Sequence, residues 1–324
     1  MKKIYVILLS IFAVILVIVL CTGAYLRFYL PNINKAPDLT VDKTPERVER
    51  GRYLAHHVAV CMDCHSTRDW SLYSGPPVGE LGGGGEKFGK EMGFPGNIYS
   101  ANITPHHLGS WTDGEIFRAI TAGVNKDGDA LFSVMPYQRY GLMDEEDIHS
   151  IIAYIRTLKP LQATQPKREL DFPVNFLINT MPQEPAFTKK PDEKNVVAYG
   201  SYLTNMASCV DCHSQRSKGE IVTGTEFGGG MEFAQPGGVV RSPNITPHME
   251  TGIGQWTKEH FISRFKQYTD SSYQSPKLTM QDLNTPMPWQ MYAGMSEADL
   301  GAIYAYLKSL TPINNMVNRF EKNK

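Results

Sequence analysis

Cys61-Met62-Asp63-Cys64-His65 and Cys209-Val210-Asp211-Cys212-His213 are the two stretches whose reading decides the fold. Cys-x-x-Cys-His is the attachment signature of c-type haem. Two thiols spaced by two residues each add to a vinyl group of the porphyrin, and the adjacent histidine then lies beneath the iron as its proximal ligand. Zinc and redox thiols are the rival readings. A structural zinc site draws four ligands from paired knuckles, but these motifs lie 148 residues apart, each inside its own copy of the surrounding sequence. A thioredoxin-like reading needs a βαβ context that is absent. Four of the five cysteines belong to the two motifs, so only Cys21 is left over and no disulfide remains to be made.

Outward from the motifs the chain repeats itself. Gly51-Arg52-Tyr53-Leu54 answers Gly200-Ser201-Tyr202-Leu203, and Gly83-Gly84-Gly85 answers Gly228-Gly229-Gly230, with Phe88 and Phe233 beyond. Asn102-Ile103-Thr104-Pro105-His106 recurs as Asn244-Ile245-Thr246-Pro247-His248, Trp111-Thr112 as Trp256-Thr257, and Met135-Pro136 as Met287-Pro288. The closing Ile152-Ala153-Tyr154-Ile155-Arg156-Thr157-Leu158 matches Tyr304-Ala305-Tyr306-Leu307-Lys308-Ser309-Leu310. Order and spacing persist across the whole length, which implies two homologous domains.

Each copy reads as a few helices joined by long loops. Residues 46–57 have helical composition, with Val48, Tyr53 and Leu54 near one face. Thr112-Asp113-Gly114-Glu115 has capping-box spacing for a middle helix that ends near Gly123. Asp144-Glu145-Glu146-Asp147 and Ser296-Glu297-Ala298-Asp299 place a capping residue before acids in the first turn, where the helix dipole favours them. Met143 and Met295, one position earlier, staple those helix starts. The stretch 66–110 is rich in Gly and Pro and too long for an ordinary connection, so the domain needs a cofactor to pack around. The proline-rich segment 160–195 joins the copies, and its apolar run Leu170–Leu177 is expected to pack on a domain surface.

The iron's sixth ligand is sought in the repeat. Met135 and Met287 fall 70 and 74 residues after His65 and His213, each before a proline and ahead of the last helix. A thioether stabilises ferrous iron and raises the potential. His106 and His248 also recur and are the main rivals as ligands or propionate neighbours. His56, His57, His149 and His260 have no matching partners and read as surface or packing residues. Trp111 and Trp256 are expected against the haem edge, with the indole N–H available for a propionate; Tyr154 and Tyr306 should face the core. The run Gly82–Gly85 is followed by Glu86-Lys87-Phe88 and lacks the Gly-Lys-Ser/Thr that holds a nucleotide.

With 42% hydrophobic and 20% charged residues in 324, the chain has ordinary globular composition, which excludes disorder as the default. A net charge of −1 without a basic stripe points away from nucleic acid. Ile4 to Leu26 holds no charge over 23 residues, enough at ~1.5 Å per residue to span the ~30 Å hydrocarbon core. A cleaved signal peptide has a shorter apolar region ending at a small-residue site, which Val19-Leu20-Cys21-Thr22 does not supply. Leu20 is also too bulky for a lipidation site at Cys21. Lys2 and Lys3 face Arg27, Lys35 and Lys43 across the span, so charge leaves the orientation open. Bacterial haem attachment outside the cytoplasm sets it, with the amino terminus inside.

Asn-Ile-Thr-Pro, Gly-x-Trp-Thr, a Met-Pro-Tyr or Met-Pro-Trp loop and a closing Ala-Tyr-Leu-x-x-Leu helix together resemble the cytochrome c subunits of bacterial membrane-bound alcohol and gluconate dehydrogenases. Phe172-Pro173-Val174-Asn175 resembles their interdomain segment. The resemblance implies a mainly α chain of two tandem class I cytochrome c domains with long loops, preceded by one N-terminal transmembrane helix. The boundaries expected are an anchor over 1–30, domains over 44–160 and 195–312, a linker over 161–194 and a tail over 313–324. It further implies two covalently attached haem c groups on Cys61, Cys64, Cys209 and Cys212, ligated by His65 with Met135 and His213 with Met287. A dehydrogenase would be the electron donor and the respiratory chain the acceptor, with the haem domains in the periplasm and the anchor in the inner membrane. Those subunits typically carry three haem motifs, whereas this chain has two. The competing expectation is a di-haem enzyme, a peroxidase or thiosulfate-oxidising cytochrome, with one open iron.

Overall fold

The computed structural model describes residues 2–279 and 281–323. Met1 of the expected anchor, Met280 of the second copy and Lys324 of the expected tail lie outside them. In chain order, α1 is Lys2–Phe28, α2 Pro45–Tyr53, α3 Cys61–Cys64, β1 Lys87–Phe88, β2 Gly96–Tyr99, α4 Pro105–Leu108, α5 Asp113–Ala122, α6 Tyr137–Tyr140 and α7 Glu145–Ile155. The connection carries β3 Glu169–Leu170 and α8 Val174–Leu177. The second half follows with α9 Val196–Met206, α10 Cys209–Cys212, β4 Arg216–Ser217, β5 Glu220–Ile221, β6 Glu232–Gln235, β7 Gly238–Arg241, α11 Lys258–Lys266, α12 Trp289–Tyr292, α13 Glu297–Ser309 and β8 Phe320–Lys322.

Helix starts follow local chemistry. Thr44 caps α2 with Pro45 at the first helical position. Thr112 and Glu115 close the expected capping box, and α5 stops at Gly123 with φ +75°. Asp144 and Ser296 cap α7 and α13, and Met143 and Met295 before them are buried. Gly51 precedes Cys61 by ten residues, but Gly200 precedes Cys209 by nine. The extra residue of the first half is absorbed by a π turn over Leu54–Val58, the usual form of a one-residue insertion in a helix.

In each half the first helix crosses the last: α2 packs on α7 and α9 on α13. Glycine makes both crossings possible. A Cβ on Gly51 would fall 1.7 Å from the Ser150 carbonyl oxygen, and one on Gly200 would fall 1.9 Å from that of Ala302. Around the crossings Leu54, Met62, Ile148 and Ile152, with Leu203, Met206, Leu300 and Leu307, are buried almost completely. Tyr154 and Tyr306 pack against this core.

The segments beyond the last helices fold back as third strands. β3 completes the antiparallel sheet β1–β2–β3, and β8 completes β6–β7–β8. Residues 320–322 of the expected tail are therefore sheet, not a free end. The later part of the expected linker packs, with Ala186 N–H donating to the Gly141 carbonyl and Phe187 against Phe117. The run Leu170–Leu177, however, does not lie on a domain surface as expected: beyond Leu170, which is tied into the sheet, Phe172 is 80% exposed and Phe176 and Leu177 are exposed as well.

The halves exchange equivalent bonds. Tyr53 of the first donates to Asp299 of the second at 2.5 Å, while Tyr202 of the second donates to Asp147 of the first at 2.7 Å. Each phenol oxygen also accepts a helix-capping N–H from the opposite half, from Ser296 and from Asp144. Burial and the hydrogen bond to Asp299 push the Tyr53 phenol up to about 12. Arg139 adds a two-pronged ion pair to Asp211 at 2.9 Å.

Tyr53→Phe leaves Asp299 and the Ser296 N–H without this partner and is expected to lower stability by about 1–3 kcal/mol, read as a lower denaturant midpoint at unchanged haem content. His56, in the π turn, sits 2.6 Å from the Tyr154 hydroxyl, and burial pushes its ring down to about 4 from 6.5. The folded chain thus keeps His56 neutral while the unfolded chain takes up a proton, so this contribution is full above pH 6.5 and is lost as pH falls toward about 4. Melting temperatures over that window should fall for the parent, and fall less for His56→Gln.

Candidate haem sites

The four motif cysteines lie on the short helices α3 and α10 and are not paired with one another as disulfides. Both helices are entered through a left-handed residue, Val60 at φ +47° and Ser208 at φ +53°. That strained entry is clamped from the methionine side. Tyr140 donates to the Ala59 carbonyl at 2.9 Å and Tyr292 to the Ala207 carbonyl at 2.7 Å. Each tyrosine stands five residues after its methionine. That recurrence was available in the repeat and would have identified both.

His65 Nδ1 lies 2.7 Å from the Ala101 carbonyl, and His213 Nδ1 lies 2.8 Å from the Pro243 carbonyl. A carbonyl only accepts, so both rings carry their proton on Nδ1 and present Nε2 as a lone pair. Burial pushes both rings down from 6.5, which holds them in the neutral form a metal requires. The carbonyls belong to the residues just before the two Asn-Ile-Thr-Pro repeats, and this gives those repeats a role. Asn102 Oδ1 accepts from the N–H and hydroxyl of Thr104, and its Nδ2 donates to the Leu161 carbonyl. Asn244 does the same with Thr246 and Ile313.

The glycine runs serve the same histidines. Gly84 N–H donates to the His65 carbonyl and Gly229 N–H to the His213 carbonyl, both at 2.8 Å. Gly84 has φ +73° and Gly229 φ +75°, and a Cβ on either would fall 2.5 Å from the carbonyl carbon of Ala101 or Pro243. Only glycine passes between the histidine backbone and the carbonyl that orients its ring.

Met135 and Met287 are half-buried against the core. Their turns match: Tyr137 N–H donates to the Met135 carbonyl and Trp289 N–H to that of Met287, both at 2.8 Å. The second turn has an additional hold from the first half. Ser74 Oγ donates to the Met287 carbonyl at 2.6 Å, and Asn284 Oδ1 accepts from Ser74 N–H. Arg68 shapes that loop through the Ser74 and Gly75 carbonyls while pairing at 2.8 Å with Asp63 inside the first motif. Burial pushes Asp63 up to about 6 against the pull of Arg68.

The rival histidines are engaged otherwise. His106 is exposed, and His248 Nδ1 accepts from loop amides at Glu250 and Thr251. His57 Nδ1 contacts the Met291 carbonyl across the halves, His149 packs near Phe117, and exposed His260 stacks on Trp256 at 4.5 Å. Trp111 and Trp256 both border the core. Among the described residues, Trp111 Nε1 and the Tyr137 hydroxyl are buried without partners. A buried donor left unpaired costs about 1–3 kcal/mol, so Trp111 fits an acceptor supplied from outside the chain, such as a propionate. Among the described residues no three His, Cys, Asp or Glu side chains converge. The donor set of thiol pair, neutral imidazole and thioether-bearing turn fits covalent haem.

Gly84→Ala is expected to displace Ala101, cost at least about 2 kcal/mol and lower haem incorporation in the first half. Gly93→Ala, also at positive φ but with open space around it, should retain full haem by pyridine haemochrome assay.

Residues 197–311 match the cytochrome c family. The chain is 29% identical over 280 residues to the fructose dehydrogenase cytochrome subunit of Gluconobacter japonicus, covering 81% of this chain and 52% of that one. It is 26% identical over 290 residues to the cytochrome c subunit of the quinone alcohol dehydrogenase of Gluconacetobacter polyoxogenes, covering 85% and 58%. A di-haem c-type cytochrome of Cereibacter sphaeroides is 25% identical over 309 residues, covering 92% of this chain and 97% of that one. The chain thus spans little more than half the length of the two dehydrogenase subunits. A family match over the second motif, the paired neutral histidines and these relatives lead to one conclusion: residues 197–311 form a cytochrome c domain, which implies covalent haem c, and the chain as a whole resembles the cytochrome c subunits of bacterial fructose and alcohol dehydrogenases.

Proposed function

We propose that the chain is a membrane-anchored di-haem electron carrier that accepts electrons from a dehydrogenase and delivers them to a respiratory-chain acceptor on the periplasmic face of the inner membrane. The observation that carries this reading is the repeated Nδ1–carbonyl bond at His65 and His213, at 2.7 and 2.8 Å. Two imidazoles held in the same tautomer, each beside its own thiol pair, argue for two haems and two equivalent irons. Haem held this way supplies one-electron exchange between ferrous and ferric iron.

In this reading each half, 44–160 and 195–312, is a class I cytochrome c domain. Cys61, Cys64, Cys209 and Cys212 hold the porphyrins covalently. His65 with Met135, and His213 with Met287, are the axial pairs, and Trp111 and Trp256 border the haem edges. The matching Met-Pro turns support two closed sites and weigh against an enzyme, which needs one open iron for its substrate. The exchanged tyrosine bonds and the Arg139–Asp211 pair fix one half against the other. A fixed interface suits a relay, because it removes the reorganisation that a loose pair would undergo at each transfer. α1 remains wholly exposed to its surroundings along Ile4–Leu20, which suits a helix whose solvent is lipid.

Met135→Ala and Met287→Ala should each leave two covalent haems while lowering the potential of one site and halving the weak sulfur-to-iron charge-transfer band. Redox titration with haem quantified by pyridine haemochrome measures this. If both variants kept the parent's band and both potentials, the ligand assignment would be wrong.

A further inference from the structure

We infer that the segment after β3, residues 172–181, is a second membrane contact that seats the first half on the lipid surface beside α1; this rests on the reading of α1 as a membrane anchor. Three features of this segment converge on it.

The segment carries apolar side chains that the protein does not cover. Phe172 is 80% exposed, with Phe176 and Leu177 partly exposed, although Ile178 between them and the body is buried. At the end of α1, Tyr25, Phe28 and Tyr29 are exposed as well. Aromatic side chains collect where a membrane meets water, because a ring there buries its face and keeps any polar tip wet.

The segment also touches α1, and at a defined depth. α8 and the following turn Ile178–Thr180 pack on that helix, and Asn179 Nδ2 donates at 2.9 Å to the Leu26 carbonyl. Leu26 lies in the last turn, whose carbonyls have no partner within the helix. Within the last turns of α1 partial coverage falls on Gly23 and Leu26, three residues apart on one helix face. The uncharged span Ile4–Leu26 ends at this level and Arg27 follows it, so the contact lies where the hydrocarbon gives way to headgroups.

Finally, the segment is held at both ends. β3 pairs with β2, Asp171 N–H donates to the Pro95 carbonyl and Lys90 pairs with Asp171 at 2.6 Å. Asn179 fixes the far end to the anchor. The exposed rings therefore stay at the height of the helix end. The occupant this favours is the lipid surface, because the patch continues directly from a helix that is itself apolar and uncovered on every other side.

The test uses full-length haem-loaded protein with Cys21→Ser, so that one introduced cysteine carries a nitroxide label. Phe172→Cys, Ile15→Cys in α1 and Val222→Cys in the second half are each labelled and reconstituted in phosphatidylethanolamine–phosphatidylglycerol vesicles with the haems reduced. Power saturation then compares oxygen, which partitions into acyl chains, with a water-soluble nickel chelate. The inference expects oxygen to dominate at 172 and at 15, and nickel at 222. Oxygen dominance at 15 with nickel dominance at 172 overturns the inference, keeps the anchor and leaves the patch to a protein subunit. Nickel dominance at 15 overturns the anchor and the inference together.

Discussion

Two helices approach at Gly51 so closely that a methyl group there would lie 1.7 Å from the Ser150 carbonyl oxygen, and the crossing at Gly200 is nearly as tight. Everything else in each half is arranged from that contact. It sets the first helix against the last, so the thiol motif on the short helix that follows the first lies beside the Met-Pro turn that precedes the last. The tyrosine closing that turn then reaches back to the carbonyl before the left-handed entry into the motif. Without glycine at the crossing the helices would move apart, and the clamp between the two sides of each site would open.

A second layer of constraint acts on the histidines. Their ring orientation is set by a carbonyl that lies 36 residues away in the first half and 30 in the second. That carbonyl is fixed by the Asn-Ile-Thr-Pro turn, and the turn by an asparagine bonded to the chain after the last helix. Glycine at 84 and 229 lets the backbones nest. A short polar network thus does in these loop-rich regions what regular secondary structure does elsewhere: it satisfies buried backbone groups and leaves one geometry for the imidazole.

The two halves are alike in these features but not in how they meet. The tyrosine–carboxylate bonds are exchanged evenly, whereas the loop around Ser74 reaches only from the first half to the second. Its counterpart in the second half is the short hairpin β4–β5. Arg139 pairs with Asp211, while Met291 stands four residues after Met287 where Arg139 stands after Met135. The second methionine turn is therefore held from the other half at the Met287 carbonyl itself, by Ser74, whereas the first is held from the other half four residues further on at Arg139, by Asp211 and Asn205. This is a physical basis for unequal surroundings at otherwise matching sites.

Much of this was legible in the sequence. The motif cysteines and histidines were legible because Cys-x-x-Cys-His is a fixed local spacing, and the caps at Thr112, Asp144 and Ser296 because capping is local. The apolar run to Leu26 was readable because it is continuous and uncharged. The structure alone decided which atoms complete the sites. The Ala101 and Pro243 carbonyls are backbone groups that any residue offers, so no side chain announces them. The glycine runs named a need for freedom, and only the approach of Ala101 and Pro243 explained it. The third strands and the bonds between halves, such as Tyr53 to Asp299 across 246 residues, depend on where distant segments arrive in space. Spacing along the chain encodes chemistry that neighbours perform; contacts between distant segments depend on how the helices have already crossed.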